Sequence, residues 1–226
     1  MKNFHNDKSD YISELQNNKD RDRMYSNFDT EQKEFFDSVK DNVFTFCESD
    51  AGTGKTTIAA AAMLDMLANG EINKIVYIRV VDDRIQSIGY YPGTIEEKTA
   101  PYWEPFYEAL ETLGLQQETI RSMEYANLLN ESLDITMRGI NLEKAGVIVD
   151  ELQNANTDTL RLIFTRMHDD CHIAAIGDGK QKDQKHASKD FRAYCDFLAA
   201  SSFGNKCKLT HNYRGKFSKL AESFCL

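Results

Sequence analysis

At 226 residues with 41% hydrophobic content, the chain can fill one sizeable core but is short for two full domains. A formal net charge of -9 and a pI near 5.1 exclude coating of nucleic acid by bulk positive charge, so any nucleic-acid site has to be local. The five cysteines form no CxxC pair and "MKNFHNDKSDYISEL" has no apolar signal region, which predicts a soluble cytoplasmic protein with no membrane segment, no disulfide framework and no cysteine-rich zinc site.

In chain order, residues 1–27 mix both signs of charge with few large apolar side chains and read as an arm or surface helix. One domain, 28–226, follows. It opens with the helical "TEQKEFFDSVK", where the Gln32 amide has the donor and the acceptor needed to pair with an adenine edge. Asp29 three residues before Gln32 also fits a capping box, and the two readings are compatible.

The apolar strand "VFTF" then runs through "CESDAGTGKTT" into the helix "TTIAAAAMLDMLA", which Gly70 closes. Backbone N–H groups of Ser49, Asp50, Ala51, Gly52, Thr53, Gly54 and Thr57, with the helix N-terminus, can wrap a β-phosphate. Lys55 can reach the β and γ phosphates, and the Thr56 hydroxyl can ligate Mg²⁺. Ser49 stands where the pattern GxxxxGK[ST] has its first glycine, and an ordinary glycine turn between strand and helix has the same outline.

After the strand "KIVYIRVV" comes an insertion near 82–115 that holds Pro92, Pro101 and Pro105, all three prolines of the chain, and its single tryptophan, Trp103. Pro101 is placed to begin a helix, on which Trp103, Phe106, Tyr107 and Leu110 share one face. That face can pack on its own domain, bind a neighbouring subunit or stack on single-stranded nucleic acid. Arg79 and Arg138, at the ends of the insertion, suit nucleic-acid or subunit contacts, and surface salt bridges equally.

"AGVIVDELQN" is a buried strand ending in Asp150 and Glu151, at the edge where parallel sheets bind ligands. Asp150 suits the Mg²⁺ shell opposite Thr56, and Glu151 suits orienting and polarising an attacking water. An acidic pair capping the next helix, "NTDTLRLIFTRM", is the other reading. "HDDCH" has no matching second half and does not predict a metal site. Past the strand "HIAAIG", the loop "GDGKQ" offers Gln181 to the γ-phosphate or its water, though a Gly-Asp-Gly turn with a solvated glutamine fits as well. The lysines of "GKQKDQKHASK" form the locally basic stretch of an acidic chain. A helix, "SKDFRAYCDFLAA", and a short strand, "KCKLT", lead to Arg214, which can neutralise charge on a transferring phosphoryl group or simply start a surface helix. Short apolar runs alternating with amphipathic helices predict an α/β fold with a mostly parallel sheet covered on both faces.

"DAGTGKT", "DELQN" and "GDGKQ" in this order, with "IGYYPGTIEEKTAPYWEPFYEAL" between the first two and "ITMRG" before the second, resemble the PhoH-like ATPases of bacteria and their phages. The resemblance covers roughly residues 28–183, and the segment "EKxxPYxxPxYxAL" carries most of its discrimination. "LTHNYR" resembles the arginine-bearing motif of superfamily 1 helicases. The resemblance implies a RecA-like P-loop NTPase core, hydrolysis of ATP with Mg²⁺, assembly into homo-oligomeric rings, and action on RNA or single-stranded DNA. Val80 replaces a proline usual in the family, Leu152 replaces an alanine, and residues after 183 follow the pattern poorly, leaving Arg214 on the helicase resemblance alone.

The expected function is Mg²⁺-dependent ATP hydrolysis coupled to nucleic acid in a helicase-like or remodelling enzyme. One such domain is short for a translocating motor, which points to oligomerisation or a partner. The alternatives are an ATP-gated oligomeric scaffold with slow hydrolysis and a P-loop phosphotransferase. Asp150, Glu151 and Gln181 favour activating water over binding an acceptor.

Overall fold

The computed structural model describes residues 12, 13, 15, 25–81, 95–137, 139–178, 190–213 and 215. The elements in order are α1 (Thr30–Asp41), β1 (Phe44–Glu48), α2 (Lys55–Ala68), β2 (Lys74–Arg79), α3 (Ile95–Thr112), α4 (Gln117–Tyr125), β3 (Leu129–Leu133), β4 (Ala145–Asp150), α5 (Thr157–Phe164), β5 (His172–Gly177), α6 (Asp190–Ala199) and β6 (Gly204–Cys207). The strands form a six-stranded sheet in the order β3-β2-β4-β5-β1-β6, and every paired neighbour runs parallel. This is the α/β arrangement that the alternating pattern predicts.

Successive residues of a strand point to opposite faces, and here both faces are covered. On β2, Ile75 and Tyr77 join the layer containing α1, α2, α3 and α4, while Val76 and Ile78 join the layer containing α5 and α6. All six residues of β4 are buried, which is why "AGVIVD" reads as one apolar run. Leu15 is buried with the first layer.

Three elements differ from expectation. β3, "LNESL", carries polar residues at its centre and is buried only at its two ends, so it lacks the apolar signature of its neighbours. β6 covers Gly204–Cys207 rather than the expected short strand "KCKLT", because its backbone is registered on Phe44–Cys47 of β1. α3 begins at Ile95, so Pro101 and Pro105 lie inside it rather than at its start. An interior proline forfeits a helix hydrogen bond and costs about 3 kcal/mol. Burial of Trp103, Phe106, Ala109 and Leu110 against the first layer offsets that cost. Among the described residues, no helix is long and apolar enough to cross a membrane.

Candidate functional site

The turn after β1 is built around two residues that an L side chain would strain: Gly52 at φ 74° and Gly54 at φ 86°. Ser49 needs no such freedom. Its N–H donates to Gly177 O (3.1 Å), and its hydroxyl accepts the N–H of Leu209 (2.6 Å), so the serine ties the segment after β6 to the loop in a way a glycine could not. Lys55 Nζ curls under the loop and donates to Ser49 O (2.6 Å) and Asp50 O (2.7 Å). No side chain caps the N-terminus of α2 and its first turn holds no acid, so the partial positive charge of that helix end faces the cavity.

At the end of β4, Asp150 is 7% exposed. Its Oδ2 accepts the Tyr77 hydroxyl (2.7 Å) and the Thr56 hydroxyl (3.3 Å), and its Oδ1 accepts the N–H of Glu151 (2.8 Å). Burial, then the neighbouring Asp150 carboxylate, push the Tyr77 phenol well above its usual range, which keeps it a donor. Val80 N–H donates to Asp150 O (3.0 Å), a bond that the family's usual proline could not make.

Glu151 turns the chain at φ 60°, ψ 38°, a left-handed conformation costly for any residue with a Cβ and concentrated at functional sites. One carboxylate oxygen meets Arg79 Nη2 at 3.4 Å and the other accepts Gln153 Nε2 at 2.5 Å. Burial raises the Glu151 carboxyl above its ordinary range and Asp150 adds to this, while Arg79 and Gln153 pull it back. The acidic pair does not cap the following helix, because α5 is capped by the side chain of Asn156 (2.9 Å to Thr159 N).

These groups open onto one cavity of about 740 Å³ at the carboxyl edge of the sheet, lined among others by Gln32, Gly52–Thr57, Asp150, Glu151 and Asp178. Its wall includes Pro105, Glu108, Ala109 and Thr112 of α3. Gln32 completes the capping box, its N–H donating to Asp29 Oδ1 (2.8 Å) and its Oε1 accepting from Asp29 N (3.1 Å). Its Nε2 lies beside Gly54, 3.6 Å from where a Cβ on that glycine would stand, and both residues line the cavity. The insertion face packs inward: Phe106 stacks on Tyr77 with ring centroids 4.8 Å apart and Trp103 meets it edge-on at 6.3 Å. Arg79 is spent on Glu151 and on Tyr77 Oη (3.5 Å) within the same domain. Arg138, Gln181, Arg214 and the lysine-rich loop lie outside the described residues. A larger groove of about 1130 Å³ on the other flank of α3 carries Glu104, Glu108, Glu111, Glu124 and Glu131, a charge that repels phosphate.

Three residues of the site have no role that the sequence alone assigns. Tyr77 hides within an apolar strand, and its signal was only that it shares a face with Arg79. Gln153 stands in the quoted "DELQN". Tyr213, beside Arg214, lines the cavity and is 53% exposed, its ring meeting that of His211 at 4.5 Å; its N–H donates to Gly52 O (2.8 Å) and its hydroxyl to Asp29 Oδ2 (2.6 Å).

Hard oxygen donors side by side, Thr56 Oγ1 and Asp150 Oδ2, suit a magnesium ion that takes its other ligands from phosphates and water. Among the described residues no cluster of three or more His, Cys, Asp or Glu could hold a metal by itself; within "HDDCH", Cys171 donates to Leu142 O and His172 Nδ1 lies 3.2 Å from Val39 O.

The profile of the family described as "PhoH-like protein" matches residues 26–209. The chain is 34% identical over 152 residues to a PhoH-like protein of Bacillus subtilis, covering 67% of this chain and 47% of that one. It is 29% identical over 168 residues to a PhoH-like protein of Mycobacterium leprae, covering 74% and 48%. Against Protein PhoH of Escherichia coli K12 it is 30% identical over 159 residues, covering 67% and 43%. The chain thus spans about half the length of the curated relatives it matches.

Proposed function

The chain belongs to the PhoH-like protein family, and from that premise we propose that it binds ATP with Mg²⁺, hydrolyses it, and couples hydrolysis to RNA or single-stranded DNA. The observation that carries the reading is the convergence of Lys55, Thr56, Asp150 and Glu151 on one cavity at the carboxyl edge of the sheet. The loop N–H groups and the α2 N-terminus bind the β-phosphate, and Lys55 exchanges its carbonyl partners for phosphate oxygens. Thr56 and Asp150 hold the cation, which when bound supplies charge neutralisation at the phosphates. Glu151 orients water for in-line attack and takes its proton. Gln32 reads the adenine edge, and the exposed Tyr213 ring offers the base a flat apolar face. Gln181 and Arg214 act on the γ-phosphate and on the charge that develops there.

Coupling to nucleic acid rests on Lys180, Lys182, Lys185 and Lys189, which follow the site directly in the sequence. A homo-oligomer in the cytoplasm, as the family resemblance implies, completes the reading. The test is phosphate release from ATP and Mg²⁺ with and without single-stranded RNA and DNA, with Lys55→Ala as the control for contamination. Turnover that depends on Lys55 and rises with one nucleic acid supports the whole reading. Lys55-dependent turnover indifferent to both removes the coupling, and no turnover at all favours a nucleotide-gated scaffold.

A further inference from the structure

Glu151 is followed by the short 3₁₀ turn Leu152–Asn154, and the left-handed conformation of Glu151 folds that turn back beneath its own carboxylate. Gln153, 5% exposed, thereby lies between the ends of two paired strands, β4 and β5. Its Nε2 donates to Glu151 Oε2 (2.5 Å) and its Oε1 accepts the N–H of Asp178 (3.0 Å). The partners leave no choice of amide orientation, because a flipped group would set a carbonyl against a carboxylate and an NH₂ against an N–H. A carboxylate in place of the amide lacks the donor, and an amine lacks the acceptor. Gly177, at the end of β5, lies against this amide: a Cβ there would stand 3.7 Å from Gln153 Oε1 and 3.1 Å from Phe191. Arg79, the other partner of Glu151, sits at a longer 3.4 Å and reaches in from β2.

We propose that Gln153 is a positioning residue for hydrolysis, holding the Glu151 carboxylate in register with the end of β5 so that it meets the attacking water in one orientation. The inference rests on the reading of Glu151 as the group that activates water. A base displaced by about an ångström loses up to ~100-fold in rate without weakening substrate binding, so the effect belongs in kcat.

The test compares Gln153→Leu, which removes both bonds at similar size, with Gln153→Glu, which keeps the acceptor toward Asp178 and loses the donor. Turnover, binding of a non-hydrolysable ATP analogue with Mg²⁺, and thermal unfolding are measured for each. The expected result is a kcat lower by roughly 10- to 100-fold, with analogue affinity within about twofold of the parent. In a Glu151→Asp background, whose carboxylate is withdrawn from Gln153, adding Gln153→Leu should cost much less than it does alone. Near-parental kcat in Gln153→Leu overturns the proposal, as does an undiminished loss in the Glu151→Asp background. Should Gln153→Leu not fold, Gln153→Glu carries the same test. Glu151→Gln separates the two levels: if it retains turnover, the reading of Glu151 fails, whereas an inactive Glu151→Gln beside a normal Gln153→Leu refutes the role of Gln153 alone.

Discussion

Replacing Tyr77 with phenylalanine removes one oxygen atom and keeps the ring that Phe106 stacks on. The hydroxyl is buried and donates to a buried carboxylate at 2.7 Å, while the next donor to the same oxygen, Thr56, is at 3.3 Å. A hydrogen bond to a charged partner contributes about 1.5–3 kcal/mol, and no sizeable cavity is left to add to that loss. For a chain of this length each kcal/mol moves the unfolding midpoint by about 2–4 °C, so Tyr77→Phe should lower Tm by roughly 3–12 °C. Circular dichroism melts with and without Mg²⁺ and a non-hydrolysable ATP analogue are the assay. Bound cation gives Asp150 another partner, so the deficit should shrink when both ligands are present. A Tm within about 1 °C of the parent without ligands would refute the reasoning, because Asp150 would then not depend on the phenol.

Gly146→Ala places a methyl carbon 2.4 Å from Met63 Sδ and 2.6 Å from Ile72 Cδ1, and overpacking of this kind should cost about 1–3 kcal/mol in denaturant melts. Asp29→Ala removes the N-cap of α1 and the Tyr213 contact, with an expected loss of about 1 kcal/mol at neutral pH, while Asp29→Asn should keep much of the cap. The Tyr213 hydrogen bond holds the Asp29 carboxyl below its ordinary range, so this stabilisation is present above the unfolded pKa and fades as pH falls through the folded one. The Asp29→Ala deficit should therefore narrow in acid melts. Burial raises the Glu131 carboxyl and the Tyr107 hydroxyl (2.8 Å) opposes that rise, so Tyr107→Phe should raise it further. A carboxyl raised in the folded state loses stability as pH climbs from its unfolded to its folded pKa, so the Tyr107→Phe deficit should be smaller at pH 4 than at pH 7.

The parts of the site legible in the sequence are those whose chemistry is local. Gly52, Gly54, Lys55 and Thr56 lie within a few residues, and their spacing reflects a backbone shape that few other residues permit. Asp150 and Glu151 were legible because an apolar run ending in carboxylates marks a strand edge. Tyr77 and Gln153 were not, because each acquires its meaning from a neighbouring strand: Tyr77 from Asp150 on β4, Gln153 from Asp178 beyond β5. β3 escaped notice because an edge strand needs only its two end residues buried. The prolines of α3 suggested a helix start, since propensity is visible in sequence while the aromatic packing that overrides it is not.

The strand order also bears on how the chain emerges during synthesis. Among the described residues β1, which carries the phosphate loop, pairs with β5 and β6, both of which come well after it in the chain. Until His172–Gly177 has left the ribosome, "FTFCE" lacks the strand partners it has among the described residues, and its apolar residues depend on nearby helices for shelter. The sheet can first grow around β2, β3 and β4, with the loop strand docking late into the gap beside β5. Nucleotide can then be gripped only once β5 has docked beside the loop strand, which ties occupancy of the cavity to assembly of this part of the sheet.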